Sequence, residues 1–257
     1  IRNLIPGSTL VIHGLHTRPG NPNDTLVVLP GAVIEVQFEA GTAGTYFYWA
    51  TTTHTPFDMR EGIDSQLSGA LIVDPVGSPL HLTDRIFMIG LWFEPADSSG
   101  SKIKEERETL VINGRSWPHT ERLTYSVGDT IRWRWINASV APHPMHLHGF
   151  YYRVHSRGDA ERDSIYSPQR QRLVVTELLL PGTTMSLAWV PDRPDNWLFH
   201  CHILAHISPE LRLGKKQTAA AHESHDVTNH ALEEMAGLPP IPAISSPRAI
   251  RQIRNRP

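Results

Sequence analysis

Short apolar runs separated by turn residues recur along most of the chain. They lie at residues 9–12, 33–38, 70–73, 85–89, 130–135 and 185–189. Several of these runs alternate apolar and polar positions, which puts successive side chains on opposite faces of a strand. Pro-Gly, Gly-Asp and Asn-Gly pairs separate the runs, as is typical of turns. The pattern predicts an all-β protein built from β-sandwiches.

Two parts of the chain repeat each other. The segment that begins with Leu-Pro-Gly at residues 29–31 matches, without gaps, the segment that begins with Leu-Pro-Gly at residues 180–182. The phrase Val-Ile-His-Gly at residues 11–14 likewise matches His-Leu-His-Gly at residues 146–149. Self-similarity of this kind indicates that one structural unit is present twice.

The repeat predicts two related β-domains, residues 1–100 and 101–214, with the charged stretch at residues 98–108 as their linker. Residues 215–257 form a polar, His-containing insertion and then a Pro- and Arg-containing tail without periodicity, which we expect to be disordered. The first seven residues lack the features of a secretory signal and resemble the end of a strand and a turn, so we expect the natural chain to start earlier.

Composition narrows the classes of function. Among the 257 residues, 24 Lys and Arg stand against 26 Asp and Glu, which leaves no basic excess to neutralise the phosphates of a nucleic acid. No apolar run is long enough to span a membrane, so we expect no membrane partner. A single cysteine excludes an internal disulfide and any site built from several thiolates. The 15 histidines are unusually many, and Cys201 lies between two of them.

Six histidines and the cysteine lie in two motifs of the predicted second domain. The motifs are His143-Pro-Met-His146-Leu-His148 and His200-Cys201-His202-Ile-Leu-Ala-His206. On a strand, residues two apart share a face, so His200 and His202 point to one side and Cys201 to the other. Two imidazoles with one thiolate are the ligand set of a blue-copper site, and an all-imidazole set also suits copper. The clustering therefore favours metal binding over ordinary histidines near strand ends.

The two motifs resemble the carboxy-terminal copper signatures of the multicopper oxidases, the laccase-like family, and the resemblance extends over about residues 1–214. It implies two cupredoxin-like Greek-key β-sandwich domains. It also implies one-electron oxidation of phenols, aromatic amines or a metal ion, coupled to the reduction of O2 to water. The same resemblance implies a small-molecule reducing substrate, a periplasmic or extracellular location and, for two-domain members, assembly as a homotrimer.

Ligand roles follow from the resemblance, residue by residue. It implies a type 1 copper held by His143, Cys201 and His206, a type 2 copper held by His146 and a type 3 pair held by His148, His200 and His202. Electrons would pass from Cys201 through His200 and His202 to this trinuclear cluster, so these three are the expected catalytic residues. The axial position of the type 1 copper falls on Leu211 by spacing, or on Met235 if an insertion has displaced the Met-containing phrase, and both alternatives stay open.

The predicted first domain departs from the family pattern. Val11, Trp49 and Thr51 occupy family histidine positions, and His13 alone remains as a metal ligand there. His16 and His54 lie nearby as possible substitutes. Three hypotheses stay open: an oxidase completed by non-standard ligands or by a neighbouring subunit, a copper-binding electron-transfer protein with an intact type 1 site, and a piece of a longer chain whose remainder supplies the ligands.

Overall fold

A computed structural model describes residues 1–77, 84–94, 107–203, 206, 212–213 and 249–255. The regular secondary structure of these residues consists of strands and two short 3-10 helices, Phe57–Met59 and Gly62–Gln66. The strands are β1 Leu10–His13, β2 Thr25–Val28, β3 Gly44–Thr51, β4 Ser68–Val73, β5 Arg85–Glu94, β6 Arg107–Ile112, β7 Arg122–Ser126, β8 Ile131–Asn137, β9 His143–Leu147, β10 Tyr152–Asp159, β11 Asp163–Ile165, β12 Arg172–Val174, β13 Thr176–Leu179, β14 Thr183–Trp189, β15 Asn196–Cys201, β16 Arg212–Leu213 and β17 Ala249–Asn255. The predicted all-β class is confirmed. Neither helix of the described part has the length and apolarity that a membrane crossing requires.

Three sheets organise the described strands. The amino-terminal sheet has the order β2-β1-β3-β4. The largest sheet has the order β11-β10-β14-β8-β5-β6-β16, with β12 alongside β10, and the third has the order β13-β9-β15-β17-β7. Buried side chains from the second and third sheets form one hydrophobic cluster, so these two sheets make a sandwich. A smaller cluster lies beneath the first sheet.

Strand β5 lies in the sheet of the carboxy-terminal sandwich, between β8, to which it runs parallel, and β6. The predicted division at residue 100 stays a prediction, but the hydrogen-bonded framework of the second sandwich already includes Arg85. Within the predicted linker, residues 98–106 lie outside the described residues. The polar insertion at residues 215–248, which includes Met235, lies outside them too, as does Leu211.

Two segments differ from their predicted structure. Residues 33–38 were expected to form a strand, but only Val33 forms a bridge, with Arg2. The apolar alternation there marks a half-buried edge instead. The tail was expected to be disordered, whereas residues 249–255 form β17, parallel to β15 and antiparallel to β7. Strand β17 lies between β15 and β7 and pairs with both. The backbone N–H and C=O groups along the facing edges of β15 and β7 would otherwise lack partners, and this explains the correction.

An aromatic cluster fixes β15 against the opposite sheet. Phe199 on β15 packs on Trp133 and Trp135 of β8, with ring centroids 5.0 and 4.9 Å apart. Phe87 on β5 stacks on Trp135 at 4.5 Å, and all four rings are inaccessible to solvent. Buried aromatic rings contribute a large apolar area and have few rotamers, so they define position closely. The cluster therefore anchors β15 two residues before Cys201.

Polar contacts join the amino-terminal sheet to the sandwich. Asp163 accepts a hydrogen bond from the backbone N–H of Thr45 at 2.8 Å, and Arg134 donates to the Thr45 hydroxyl at 3.0 Å. His16 lies 2.6 Å from the carboxylate of Glu161 in a largely buried pair. These contacts involve charged or buried groups, so they fix how the first sheet lies on the second domain.

Asp64, in the second 3-10 helix, is the polar centre of the first domain. Its buried carboxylate accepts hydrogen bonds from the hydroxyls of Thr51, Thr52 and Thr53 at 2.7 to 2.8 Å, and from the backbone N–H of Thr52 at 2.9 Å. Burial alone would raise the pKa of Asp64, but these hydrogen bonds together hold that pKa below its ordinary value.

We expect Asp64→Asn to destabilise the protein by about 2–3 kcal/mol, because an amide group replaces one accepting oxygen of a charged hydrogen-bond centre. The free energy of unfolding, measured with urea at pH 7, checks this. Asp58→Asn is the matched control, since Asp58 is an exposed aspartate in the neighbouring 3-10 helix and its substitution should change stability by no more than about 0.5 kcal/mol.

The stability difference between the wild type and Asp64→Asn should depend on pH. Because the folded protein lowers the pKa of Asp64, the ionised group stabilises the fold fully above its unfolded value of about 3.9. That stabilisation is lost as the pH falls through the lowered folded pKa. A difference of the same size at pH 7 and at about pH 2 would contradict this assignment.

Candidate metal centre

Strands β9 and β15 lie side by side and carry most of the candidate ligands. Their register pairs His146 with His200 and Met145 with Cys201. Met145 and Cys201 point into the apolar core of the sandwich and are fully buried. His146 and His200 point the other way, as the two-residue period of a strand requires. The alternation therefore separates the thiol from the imidazoles of the same strand.

Three of the predicted ligands meet on the inner side. The nitrogen and sulfur atoms that His143, Cys201 and His206 could offer to a metal all lie within 4.8 Å of one another. The Cys201 Sγ is 3.5 Å from His206 Nδ1, and the ring centroids of His143 and His206 are 4.8 Å apart. His143 and Cys201 are fully buried, and His206 is half-buried. We call this group the His-Cys-His centre.

The protonation states of the centre suit a metal site. Burial, with a smaller effect from His206, lowers the pKa of His143 to about 3, so its ring is neutral near pH 7. Burial also raises the pKa of the Cys201 thiol to about 11, although a hydrogen bond from the Ile203 backbone N–H acts in the opposite direction. A cation is what would stabilise a thiolate at this position.

One atom of the centre is itself evidence for a ligand. The Nδ1 of His143 is buried without a hydrogen-bond partner among the described residues, whereas its Nε2 lies 2.9 Å from the Ser139 hydroxyl. A buried polar atom without a partner is costly, and a coordinated cation would remove that cost. Two imidazole nitrogens and one sulfur therefore fit a copper ion, which favours this donor set.

Four more predicted ligands meet on the outer side of the same two strands. His146 lies 4.3 Å from His202 and 4.9 Å from His148, measured between ring centroids, and His200 lies 5.0 Å from His148 and 5.1 Å from His202. His200 is buried and His202 is exposed, so the group opens toward solvent on one side. We call these four residues the four-histidine face.

Hydrogen bonds orient the imidazoles of this face. Nδ1 of His146 lies 2.8 Å from the Thr176 hydroxyl, and Nδ1 of His200 lies 2.8 Å from the Cys201 carbonyl oxygen. The Nε2 atoms of His148 and His200 are 2.9 Å apart. With Nδ1 engaged elsewhere, His146 and His200 each present Nε2 as the nitrogen available to a metal.

Burial and mutual proximity lower the pKa values of three histidines of the face, His146, His148 and His200. Burial lowers the pKa of His200 to about 4, and the neighbouring histidines lower it further, against the effect of the Cys201 carbonyl. Burial is also the main cause that lowers the pKa values of His146 and His148. Neutral imidazoles keep the lone pairs that coordination requires.

The first domain uses its corresponding positions differently. His13 stacks on Trp49, with ring centroids 4.0 Å apart and planes within 2° of parallel, and its Nδ1 lies 3.4 Å from the Pro22 carbonyl oxygen. Thr51 donates to Asp64, and Val11 is buried on β1. These side chains pack and hydrogen bond inside the first domain. As a metal ligand, His13 stays a prediction.

The two proposed substitutes also have other surroundings. His16 pairs with Glu161, and His54 is exposed, with a left-handed φ of 62°. In the described part of the chain, the groups that act on the pKa values of the four-histidine face are its own members, together with backbone carbonyls. The structure thus brings together His146, His148, His200 and His202 without His16 or His54.

Sequence reasoning missed the residues that hold the ligands in place. Ser139 and Thr176 contact ring nitrogens of His143 and His146. Thr176 lies 30 positions from its partner along the chain, and only the pairing of β13 with β9 brings the two together. Ser139 precedes His143 by four positions, so proximity in sequence was the one available signal.

Known proteins share this architecture. Residues 93–214 match the family model described as multicopper oxidase. Human ceruloplasmin is 29% identical over 129 residues, which cover 49% of this chain and 11% of that protein. The iron transport multicopper oxidase of Schizosaccharomyces pombe is 30% identical over 101 residues, which cover 37% of this chain and 16% of that protein. The chain thus spans only a small part of the length of the curated relatives it matches.

Solved structures show the same fold. The blue copper oxidase from Nitrosomonas europaea superimposes with a TM-score of 0.61 at 24% identity, covering 80% of this chain and 66% of that one. The copper nitrite reductase from the same organism gives a TM-score of 0.57 at 17% identity, covering 79% and 71% of the two chains. The predicted cupredoxin-type fold is confirmed. The family model over residues 93–214 and the curated relatives show that the carboxy-terminal part of the chain is similar to multicopper oxidases.

Proposed function

We propose that the protein is a laccase-like, copper-dependent oxidase. It takes single electrons from a small donor at the His-Cys-His centre and delivers them to O2 at the four-histidine face. The donor is a phenol, an aromatic amine or a reduced metal ion. Each donor molecule loses one electron, and each O2 takes up four electrons and four protons to give two molecules of water. The observation that carries the proposal is the position of the two groups on opposite faces of β15, with Cys201 between His200 and His202.

The His-Cys-His centre and the four-histidine face would have different roles. His143, Cys201 and His206 would hold a type 1 copper, and the four-histidine face would contribute to a type 2 and type 3 cluster. Copper, when bound, supplies the one-electron redox chemistry. The apolar core around Cys201 excludes water from the thiolate, and the peptide backbone connects this residue directly to His200 and His202. That covalent connection gives electrons a short path between the two groups.

The names of the relatives support the donor class. Ceruloplasmin, an iron transport multicopper oxidase and laccases from Arabidopsis thaliana and Fomitopsis schrenkii match parts of this chain. Under the same proposal the protein acts in the periplasm or outside the cell. The exposed side of the four-histidine face, at His202, would be covered by the first domain of a second copy in a homotrimer.

A second candidate function has its own supporting observation. Val11, Trp49 and Thr51 occupy family ligand positions, and His13 is stacked on Trp49. If the four-histidine face holds too few ions to reduce O2, the His-Cys-His centre would serve electron transfer alone. Copper stoichiometry and O2 consumption separate the two candidates.

Cys201→Ser should remove the intense visible absorption of the copper-loaded protein, since that absorption arises from the bond between copper and the thiolate. We expect the copper content to fall by about one ion per chain, and O2 consumption with a phenolic donor to fall to background. His119→Gln, which changes an exposed histidine outside both groups, is the control and should retain both properties. Visible absorption of unchanged intensity in Cys201→Ser would overturn the assignment of the thiolate.

Replacing His146 and His148 together with Gln should lower O2 consumption by at least about 100-fold and leave the visible absorption in place. The reason is that these two side chains belong to the outer face alone, while the His-Cys-His centre keeps all its donors. Oxygen uptake, absorption spectra and metal analysis of the same samples provide the measurement.

The wild-type protein decides between the two candidates. About four copper ions per chain, together with O2 uptake, are the result expected for the oxidase. A fully loaded, blue protein that oxidises no donor at the expense of O2 would contradict the oxidase and support electron transfer.

A further inference from the structure

The loop that joins β8 to β9 carries a closed chain of hydrogen bonds that ends on a candidate metal ligand. Asn137 ends β8, His143 begins β9, and Ser139 lies between them. Each of these three residues is at most 2% exposed. Because these three side chains are shielded from bulk water, their donors and acceptors must find partners within the protein.

The orientation of the Asn137 amide is fixed by its partners. Its Nδ2 donates to the carbonyl oxygens of Ala141 at 2.8 Å and of Leu179 at 3.1 Å. Carbonyl oxygens can only accept, so the other atom of this amide is the oxygen. That oxygen, Oδ1, accepts a hydrogen bond from the Ser139 backbone N–H at 3.0 Å.

The Ser139 hydroxyl must therefore donate its hydrogen to a neighbouring oxygen. Its Oγ lies 2.7 Å from Asn137 Oδ1 and 3.2 Å from the Ala141 carbonyl oxygen, both of which lack a hydrogen. The hydroxyl must donate to one of them, because two oxygens at 2.7 Å without a hydrogen between them repel. Of the two lone pairs of Oγ, one accepts a hydrogen bond from the Ala141 backbone N–H at 3.3 Å, and the other faces Nε2 of His143 at 2.9 Å.

This arrangement decides which ring nitrogen of His143 carries the hydrogen. An Oγ that offers a lone pair requires a donor, so Nε2 is protonated. The neutral ring then has its lone pair on Nδ1, the buried atom without a partner in the described structure and so the nitrogen left for a metal in the His-Cys-His centre. In the other tautomer, two lone pairs would face each other at Ser139.

The loop is held from both domains, so it cannot easily relax to the other tautomer. The backbone N–H of Ala138 donates to the Ile89 carbonyl oxygen at 2.9 Å. From the first domain, the buried Arg60 donates through Nη2 to the Ala138 carbonyl oxygen, also at 2.9 Å. Both contacts act on the residue between Asn137 and Ser139.

We propose that Asn137 and Ser139 are positioning residues that lock the tautomer of His143, so that Nδ1 is a ready donor before any metal binds. The proposal relies on the proposed function only for the identity of the metal. The tautomer itself is a property of the metal-free protein and can be measured there.

Nitrogen NMR of the ¹⁵N-labelled, metal-free protein tests the proposal, with the His143 signals assigned by difference from His143→Gln. We expect wild-type His143 to show a protonated Nε2 and an unprotonated Nδ1. Ser139→Ala should convert this pattern to a mixture of tautomers and weaken the binding of copper by about 10–100-fold, in a competition assay with a chelator. Ser139→Thr keeps the hydroxyl and should restore both results.

Ser186→Ala is the matched control, because it removes a hydrogen bond between hydroxyls in the same sandwich, at 2.6 Å from Ser156, and leaves the loop intact. Its His143 signals should equal those of the wild type. A protonated Nδ1 in the wild type overturns the proposal, whether or not any variant folds, and so does a single unchanged tautomer in a folded Ser139→Ala. Failure of the wild type to consume O2 would instead contradict the proposed function and leave the tautomer unaffected.

Discussion

The two-residue period of β15 is the constraint on which both groups of histidines depend. Successive side chains on a strand point to opposite faces, so Cys201 enters the core while its neighbours His200 and His202 leave it. The aromatic packing of Phe199 sets the register of the strand against the opposite sheet. A slip by one residue would put imidazoles in the apolar core and the thiol outside. The packing of four aromatic rings thus determines where two different kinds of donor set can form.

The predicted first domain has other side-chain contacts at the positions where multicopper oxidases have metal-binding histidines. Where the family has imidazoles, Trp49 stacks on His13 and Thr51 joins the carboxylate centre at Asp64. These contacts stabilise the fold, because buried polar groups are paired and aromatic surface is covered. The polar and aromatic contacts of this region therefore serve the fold itself, and the second domain supplies the gathered imidazoles.

Much of the site could be predicted from the sequence, because its ligands are close together in sequence. His200, Cys201 and His202 are consecutive at the carboxy-terminal end of β15, so the alternation of side chains along the backbone predicts that Cys201 points away from the two histidines. The loop residue Ser139 could not be assigned, since its role depends on a hydrogen bond that Asn137 orients through Leu179 on another strand. Strand β17 was missed for the same reason. Strand pairing over long distances leaves almost no local signal, and at residues 33–38 a clear local pattern corresponds to a single bridge and not to a strand.

The Arg60 side chain couples the stability of the two predicted domains. Its guanidinium lies over the ring of Phe57, 4.5 Å from the centroid, and burial lowers its pKa to about 10 against the effect of Asp64, so it stays charged. It donates to carbonyl oxygens of Asp64 and Leu67 in the first domain and of Ala138 in the second. Opening the first domain there would leave the Arg60 charge and the Ala138 carbonyl oxygen unpaired in the loop that joins β8 to β9. Local unfolding of one domain is thereby coupled to the other, and the loop before His143 belongs to the same cooperative unit as the second 3-10 helix.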